Sequence, residues 1–181
     1  YGDTDSIFVH TGQDDYGTAV AIGAEISREV NKQYSKLEIE MECVFRSLLL
    51  LKKKKYACLK VRDWEKQLFD REEKGLDMVR RDWCVMSRRM GGDILSQLLA
   101  PNRSKEDALV WLEEYLRQVG KQMTADELPL DEYVITKGIT KMPDEYPDAK
   151  TQPHVLVAKR RIEAGERIRP GNEIPYIICQ M

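Results

Sequence analysis

Hydrophobic and polar residues form several distinct patterns in the first quarter of the chain, and each pattern predicts an element of secondary structure. The apolar run that begins at Ile7, ended by polar residues 12–15, predicts a short strand over Ile7–Thr11. Apolar residues then recur three or four positions apart, which predicts a helix over Thr18–Ser35. Leu37–Cys43 alternates apolar and acidic residues and so predicts a strand. We expect its acidic face, Glu38, Glu40 and Glu42, to point to solvent rather than to hold a metal ion.

A second apolar run, Leu48–Leu51, stops abruptly at four lysines, Lys52–Lys55. We expect the four leucines to be buried in the core, with a strand pattern resuming over Tyr56–Val61. The polar residues 63–74 indicate a hairpin at the boundary of the sheet.

The rest of the chain has a mainly helical pattern, which opens near residue 74. Ser104 begins a near capping box and predicts the start of a helix, for which Gly120 is the expected end. A short element is expected over residues 128–141 and a loop over 142–153. His154–Ala158 and Glu173–Cys179 are expected to be strands. The whole pattern predicts an α+β fold.

Composition narrows the classes of function. The net charge is −2, but seven of the 29 basic residues lie between Arg46 and Arg62, where no acidic residue occurs. The remaining 22 basic residues are outnumbered by 31 acidic ones, so a local basic stripe on an acidic body indicates an anionic partner. The apolar runs are far shorter than the roughly 18 residues of a membrane span. Four scattered cysteines do not favour a zinc site or a disulfide framework.

The candidate catalytic motif is Asp3-Thr4-Asp5, which lies just before the first apolar run. If Asp5 enters a strand, the two carboxylates lie toward one face, about 7 Å apart along the backbone. That spacing suits carboxylates that bracket two divalent ions about 4 Å apart, as in phosphoryl transfer. Asp-x-Asp also occurs in ordinary turns. Glycosyltransferases use it for a metal-bound sugar nucleotide, but they have no need of the basic stripe.

Three stretches together resemble DNA polymerases of family B. Tyr1–Phe8 reads Tyr-Gly-Asp-Thr-Asp-Ser-Ile-Phe and is similar to the catalytic palm motif of that family, found at a β-hairpin tip. Lys53–Tyr56 resembles the family's Lys-Lys-Arg/Lys-Tyr motif, and residues 75–82 resemble its Gly-x-x-x-Val-Arg-Arg-Asp segment. The four-lysine run and the Trp83-Cys84 pair are most similar to the alpha-type, replicative branch. Because the sequence begins inside the palm motif, we expect it to be part of a longer chain.

The resemblance implies a fold, a set of site residues and partners. Residues 1–74 would be the C-terminal part of a palm, a partial antiparallel sheet with a packing helix, and residues 75–181 a mostly helical thumb. Asp5 and Asp3 would be catalytic ligands of two Mg²⁺ ions, shared with a further Asp that family members carry upstream. The expected partners are a primer–template duplex, deoxynucleoside triphosphates, primase and an accessory subunit, in the nucleus and without membrane contact. The residues expected to hold the duplex are Lys53, Lys54, Lys55, Tyr56, Arg80 and Arg81.

Three alternatives remain open. Arg80 and Arg81 sit close to Asp77 and Asp82 in sequence, and they could pair with these acids instead of with nucleic acid. The lysine run could also be a solvated edge or a localisation signal, but phosphate contact accounts better for four lysines directly after an apolar run. A non-catalytic nucleic-acid-binding module is the second interpretation of the whole chain, since the upstream carboxylate is not in this sequence.

Overall fold

The computed structural model describes residues 1–80 and 82–179. The chain forms two compact units. The first comprises Tyr1–Leu76 and Leu99–Asn102, and the second comprises Asp77–Leu98 and Arg103–Met181. The duplex residue Arg81 expected from the sequence lies outside the described residues.

The first unit begins with a very short hairpin, Tyr1–Phe8. Gly2 and Ile7 form a single antiparallel bridge, and the Phe8 N–H donates to the Tyr1 carbonyl at 2.6 Å. The predicted strand over Ile7–Thr11 is wrong: residues 9–15 have no regular structure. A strand needs a partner along its length, and the paired segment here is limited to Tyr1 and Gly2.

Helix α1 spans Tyr16–Gln33, two residues earlier at each end than predicted, and the helix itself is confirmed. Its first turn is capped by Asp15, whose carboxylate accepts hydrogen bonds from the N–H and the hydroxyl of Thr18, both at 2.7 Å. The stripe of apolar residues includes the buried Ala19.

The alternating segment Leu37–Cys43 is not a strand, so that prediction is wrong. The backbone of Ile39 instead bonds to the side-chain amide of Asn31 on α1. Asn31 Nδ2 donates to the Ile39 carbonyl at 2.9 Å and Oδ1 accepts from its N–H at 2.8 Å. The side chain thus satisfies the groups that a neighbouring strand would satisfy. The three glutamates of this segment are exposed, as expected.

A three-stranded antiparallel sheet follows, with the order β1 (Phe45–Lys52), β2 (Lys55–Asp63), β3 (Leu68–Lys74). The predicted hairpin over residues 63–74 is confirmed by the β2–β3 pairing. Tyr56, Ala57 and Cys58 on the central strand are buried. The expectation that the four leucines would be buried in the core is wrong, because β1 is an edge strand and three of them are at least 39% exposed. These are Leu48, Leu50 and Leu51.

The second unit contains most of α2 (Val85–Leu99), α3 (Lys105–Thr124) and α4 (Pro153–Glu163), with a two-stranded antiparallel sheet of β4 (Ile135–Gly138) and β5 (Glu173–Tyr176). Two short 3₁₀ helices, Pro143–Glu145 and Ala149–Thr151, lie within the predicted loop over 142–153. The core of this unit lies between α4 and the two strands. Its members are Ile139, Ala158, Ile168 and Ile174, with Tyr146 and Val157 packed against them.

Three predictions in this unit have different outcomes. Ser104 caps α3 as expected, accepting from the Asp107 N–H at 3.0 Å, but the helix continues past Gly120 to Thr124. The strand predicted over His154–Ala158 is wrong: Pro153 occupies the first turn of α4, where its fixed φ favours a helix. The last strand is confirmed in the shorter form β5.

The fold is therefore mixed α/β, with small antiparallel sheets and four α-helices among the described residues. The coarse α+β prediction is confirmed. Within residues 1–80 and 82–179, no helix is both long enough and apolar enough to cross a membrane.

Candidate active site

The two candidate catalytic aspartates lie in the turn of the first hairpin, residues 3–6, which we call the aspartate turn. The Asp3 N–H donates to the Ser6 carbonyl at 2.9 Å and closes the turn. Asp3 Oδ1 accepts from the N–H of Thr4 at 2.8 Å, and its side chain is 19% exposed, whereas Asp5 is exposed. Because Asp5 does not enter a strand, the condition for the expected spacing of about 7 Å is not met.

The second feature is the turn between β1 and β2, formed by Lys53 and Lys54, which we call the lysine turn. It follows the cross-strand pair Lys52–Lys55. Lys54 has a φ of 61°, in the left-handed region. Its N–H donates to the hydroxyl of Tyr1 at 2.8 Å, and its Nζ lies 3.7 Å from Asp3 Oδ1. Residues from two distant motifs are thus in direct contact.

Aromatic rings pack beside both turns. Phe8 packs against Tyr1 at 5.4 Å between ring centroids, and edge-on against Phe45 at 5.3 Å and Tyr56 at 5.2 Å. Such tilted and edge-to-face contacts add to the hydrophobic gain of burial. Tyr56 is only 8% exposed, and burial raises its pKa, so that its hydroxyl stays protonated at neutral pH.

Together these groups line one surface cleft of about 360 Å³. Two carboxylates, two ammonium groups and the two hydroxyls of the aspartate turn face it. The lining residues are Tyr1, Asp3, Thr4, Asp5, Ser6, Phe8, Lys54, Tyr56 and Lys74.

Sequence reasoning missed Lys74 as a lining residue. It lies opposite Tyr56 in the β2–β3 register, and its Nζ is 3.0 Å from Glu72 Oε1. The hydrogen bond to Glu72 and the charge of that carboxylate raise the pKa of Lys74, so it remains a cation. The cross-strand register that follows from a β2–β3 hairpin is the signal that could have found it.

The other candidate duplex residues have different surroundings. Lys53 is exposed and Lys55 is half-buried. Arg80, in the second unit, forms an ion pair with Asp82 at 3.2 Å, as the alternative interpretation of this residue allowed. An exposed pair of this kind contributes little to stability, and its arginine can exchange partners.

The cleft's donor set fits magnesium. Mg²⁺ prefers hard oxygen ligands, and it is commonly held by one or two carboxylates with water and substrate phosphate completing the shell. Asp3 and Asp5 supply the carboxylates. Among residues 1–80 and 82–179, no group of three or more His, Cys, Asp or Glu side chains is placed to hold a metal ion. The pair alone would therefore leave most of the coordination shell to other ligands.

Comparison with known proteins shows the family of this chain. The family model of DNA polymerase family B matches residues 1–181, the whole chain. The chain belongs to DNA polymerase family B. It is 46% identical over 180 residues to the DNA polymerase alpha catalytic subunit of Oryza sativa subsp. japonica, and 39% identical over 183 residues to that of Xenopus laevis. Each alignment covers 99% of this chain and 12% of the relative, so the chain spans about an eighth of their length.

A solved structure shows the same fold. The family B DNA polymerase from the archaeon Pyrobaculum calidifontis superposes with a TM-score of 0.66. The match covers 87% of this chain and 19% of that protein, with 24% sequence identity. At this level of identity the likeness concerns the fold alone.

Proposed function

We propose that this chain is part of a replicative, alpha-type DNA-directed DNA polymerase that extends primers by metal-dependent nucleotidyl transfer. The observation that carries the proposal is the shared cleft, where the aspartate turn meets Lys54 and Tyr56 of the second motif. Residues 1–74 form part of the palm in this proposal, and residues 75–181 form the thumb. In support, the described part of 1–74 contains the three-stranded sheet and α1, and the other three helices lie beyond it.

Asp5 and Asp3 hold the metal in this proposal, with Asp5 as the principal ligand because its carboxylate is exposed while Asp3 already pairs with Lys54. Two Mg²⁺ ions, shared with a further carboxylate upstream, would activate the primer 3′-hydroxyl and neutralise charge on the phosphates. The hydrogen bond from the Thr4 N–H fixes one oxygen of Asp3. The Asp3 carboxylate therefore loses little conformational entropy on binding, and the closed turn fixes the backbone from which Asp5 extends.

The duplex is held through its backbone. Lys53, Lys54, Lys55 and Tyr56 lie at or beside the lysine turn, so their cations and hydroxyl can meet phosphates close to the aspartates. Arg80 and Arg81 are the further duplex residues in this proposal. Backbone contacts position a duplex without reading its sequence, which suits an enzyme that must copy any template.

The remaining partners follow from the alpha-type resemblance. They are deoxynucleoside triphosphates as substrates, a primer–template duplex, and primase with an accessory subunit in the complete assembly. We place the activity in the nucleus on the same basis.

The test is substitution of the aspartates in the full-length chain that carries this segment. Asp5→Asn keeps the shape of the side chain but removes a charge from the metal site. We expect turnover to fall by roughly three orders of magnitude with duplex affinity nearly unchanged, because such groups act mainly on the transition state. Asp3→Asn should cost less. Single-turnover nucleotide incorporation and duplex titration measure the two quantities.

Asp131→Asn is the matched control, an exposed aspartate of the second unit, and should leave both quantities unchanged. An Asp5→Asn enzyme that retains a tenth of normal turnover would remove Asp5 from the metal site. The second candidate function, a non-catalytic nucleic-acid-binding module, is favoured by the lack of a third carboxylate among the described residues lining the cleft. Metal-independent duplex binding without incorporation by the full-length chain would support it.

A further inference from the structure

The lysine turn has a strained backbone that its neighbours must hold. Lys54 has a φ of 61°, a conformation that residues with a side chain rarely adopt. Such a residue keeps its geometry only where the surrounding structure fixes it. The residues that touch the Lys54 backbone therefore fix the point from which its side chain extends.

One restraint is the hydroxyl of Tyr1, which accepts the Lys54 N–H at 2.8 Å. The Tyr1 ring cannot move freely, because it packs on Phe8, which in turn meets Tyr56. The hydrogen bond joins residues 53 positions apart. It ties the lysine turn to the hairpin that carries the aspartates.

The second restraint is Gly75, which lies against the Lys54 carbonyl, in the next peptide group along the chain. Gly75 has a φ of 65°, and a Cβ atom placed there would collide with the backbone carbonyl of Lys54. Only glycine allows this close approach. Both peptide groups that flank the Lys54 Cα are thus restrained, the N–H by Tyr1 and the carbonyl by the backbone of Gly75.

The consequence concerns charge in the cleft. The Lys54 Nζ lies 3.7 Å from Asp3 Oδ1, yet the lysine side chain is 63% exposed. A weak ion pair with an accessible ammonium can exchange its carboxylate for a phosphate when nucleic acid arrives. The position at which Lys54 contacts that phosphate depends on the position of the lysine turn.

We propose that Tyr1 is a positioning residue whose hydroxyl fixes Lys54 relative to the aspartate turn, so that the ammonium meets a backbone phosphate beside Asp3 and Asp5. Tyr1 acts through Lys54 and touches neither the metal nor the phosphate. The inference rests on the proposed function, since it requires Lys54 to contact nucleic acid. The role belongs to the hydroxyl of Tyr1 and is separate from the packing of its ring.

The experiment is a salt titration of primer–template binding by the full-length chain, without nucleotide. Tyr1→Phe removes one oxygen and no charge, and it keeps the ring contact with Phe8. We expect affinity to fall about two- to ten-fold, the range of one lost hydrogen bond. The slope of log affinity against log salt should also fall, by up to about 0.9, because a phosphate contact is lost although no cation is removed. In a Lys54→Ala background, Tyr1→Phe should change neither quantity further.

Tyr34→Phe is the matched control, since Tyr34 is an exposed tyrosine of the same unit, and its slope should equal that of the parent. If Lys54→Ala lowers the slope and Tyr1→Phe does not, the positioning role is refuted while the proposed duplex contact stands. An equal additional loss in the Lys54→Ala background would also refute it. If Lys54→Ala leaves the slope unchanged, the proposed duplex contact fails and the role of Tyr1 falls with it.

Discussion

His154 is the one buried polar residue among the described parts of the chain, at 2% exposure. Its ring lies between those of Tyr146 and Tyr176, with centroids 6.4 and 6.3 Å away. Its Nδ1 is buried with no hydrogen-bond partner in the described structure. Loss of solvation, and then the nearby charge of Lys137, lower the pKa of His154 below its ordinary value. The neutral form is the one the fold accommodates.

This burial predicts a pH dependence of stability. The unfolded chain binds a proton at His154 below about pH 6.5, whereas the folded chain binds it only at lower pH. Stability is therefore fully present above about pH 6.5 and is lost as the pH falls toward the lowered folded pKa. Urea unfolding of residues 1–181 at several pH values measures it. In His154→Phe the free energy of unfolding should depend less on pH in this window. The control His10→Gln, at an exposed histidine, should keep the pH dependence of the parent. A pH dependence as steep in His154→Phe as in the parent would contradict the role given to His154.

At the residue scale, sequence predicted the aspartates and the lysine–tyrosine motif but not their contact. Asp3 and Lys54 belong to motifs some fifty residues apart, and no local pattern states that their side chains meet. Lys74 escaped notice because its place in the cleft depends on the β2–β3 register. The role of Arg80 is still a prediction, and Arg81 lies outside the described residues.

At the scale of elements, the structure requires glycine at one position, Gly75, and does not require it at another, Gly120. Gly120 lies inside α3, and apart from its own helix backbone a Cβ there would meet no atom of the described residues within 4 Å. It neither ends the helix nor relieves a close contact. Gly75 follows β3 with a positive φ and touches the Lys54 backbone. One substitution should therefore have opposite effects at the two positions.

Gly120→Ala should stabilise the chain by about 1 kcal/mol, the difference in helix propensity between the two residues. Gly75→Ala should destabilise it by more than about 1 kcal/mol, because alanine is strained at positive φ and its methyl group collides with the Lys54 carbonyl. Urea unfolding of each variant against the parent gives both values. A loss of stability in Gly120→Ala would indicate a contact on that face of α3, and a neutral Gly75→Ala would mean that the lysine turn can move aside.

The elements that sequence predicted wrongly have two physical causes, tertiary pairing and an ambiguous local pattern. Leu37–Cys43 has a clear strand pattern, but its central backbone groups bond to the Asn31 side chain instead of a strand. His154–Ala158 is apolar and short, so periodicity could not separate a strand from a buried helix. Pro153 was the available signal for a helix start. By contrast, α1 and α3 have long periodic stripes and side-chain caps, and both were predicted correctly in type.

At the scale of the whole chain, family and coarse fold class followed from three motifs and the overall pattern, and the comparisons confirmed both. The division into palm and thumb remains a prediction. Charge supports a local binding surface: the chain is acidic overall, yet the β1–β2 hairpin and its flank carry the basic stripe between Arg46 and Arg62. Such a stripe predicts salt-dependent binding of an anionic polymer by one part of the molecule.

Residues 1–181 on their own should therefore bind a primer–template duplex without extending the primer. The resemblance to family B implies a further metal-binding Asp and nucleotide-gripping residues from other segments of the full-length chain, and among the described residues lining the cleft only Asp3 and Asp5 are carboxylates. Affinity should fall steeply as salt rises, and Lys55→Ala should reduce the slope by about 0.9 if that lysine meets a phosphate. Fluorescence anisotropy measures binding, and gel analysis of a labelled primer measures extension, with the full-length chain as positive control. Magnesium-dependent incorporation by the isolated segment would show that two carboxylates suffice, and binding insensitive to salt would show that the stripe is a solvated face.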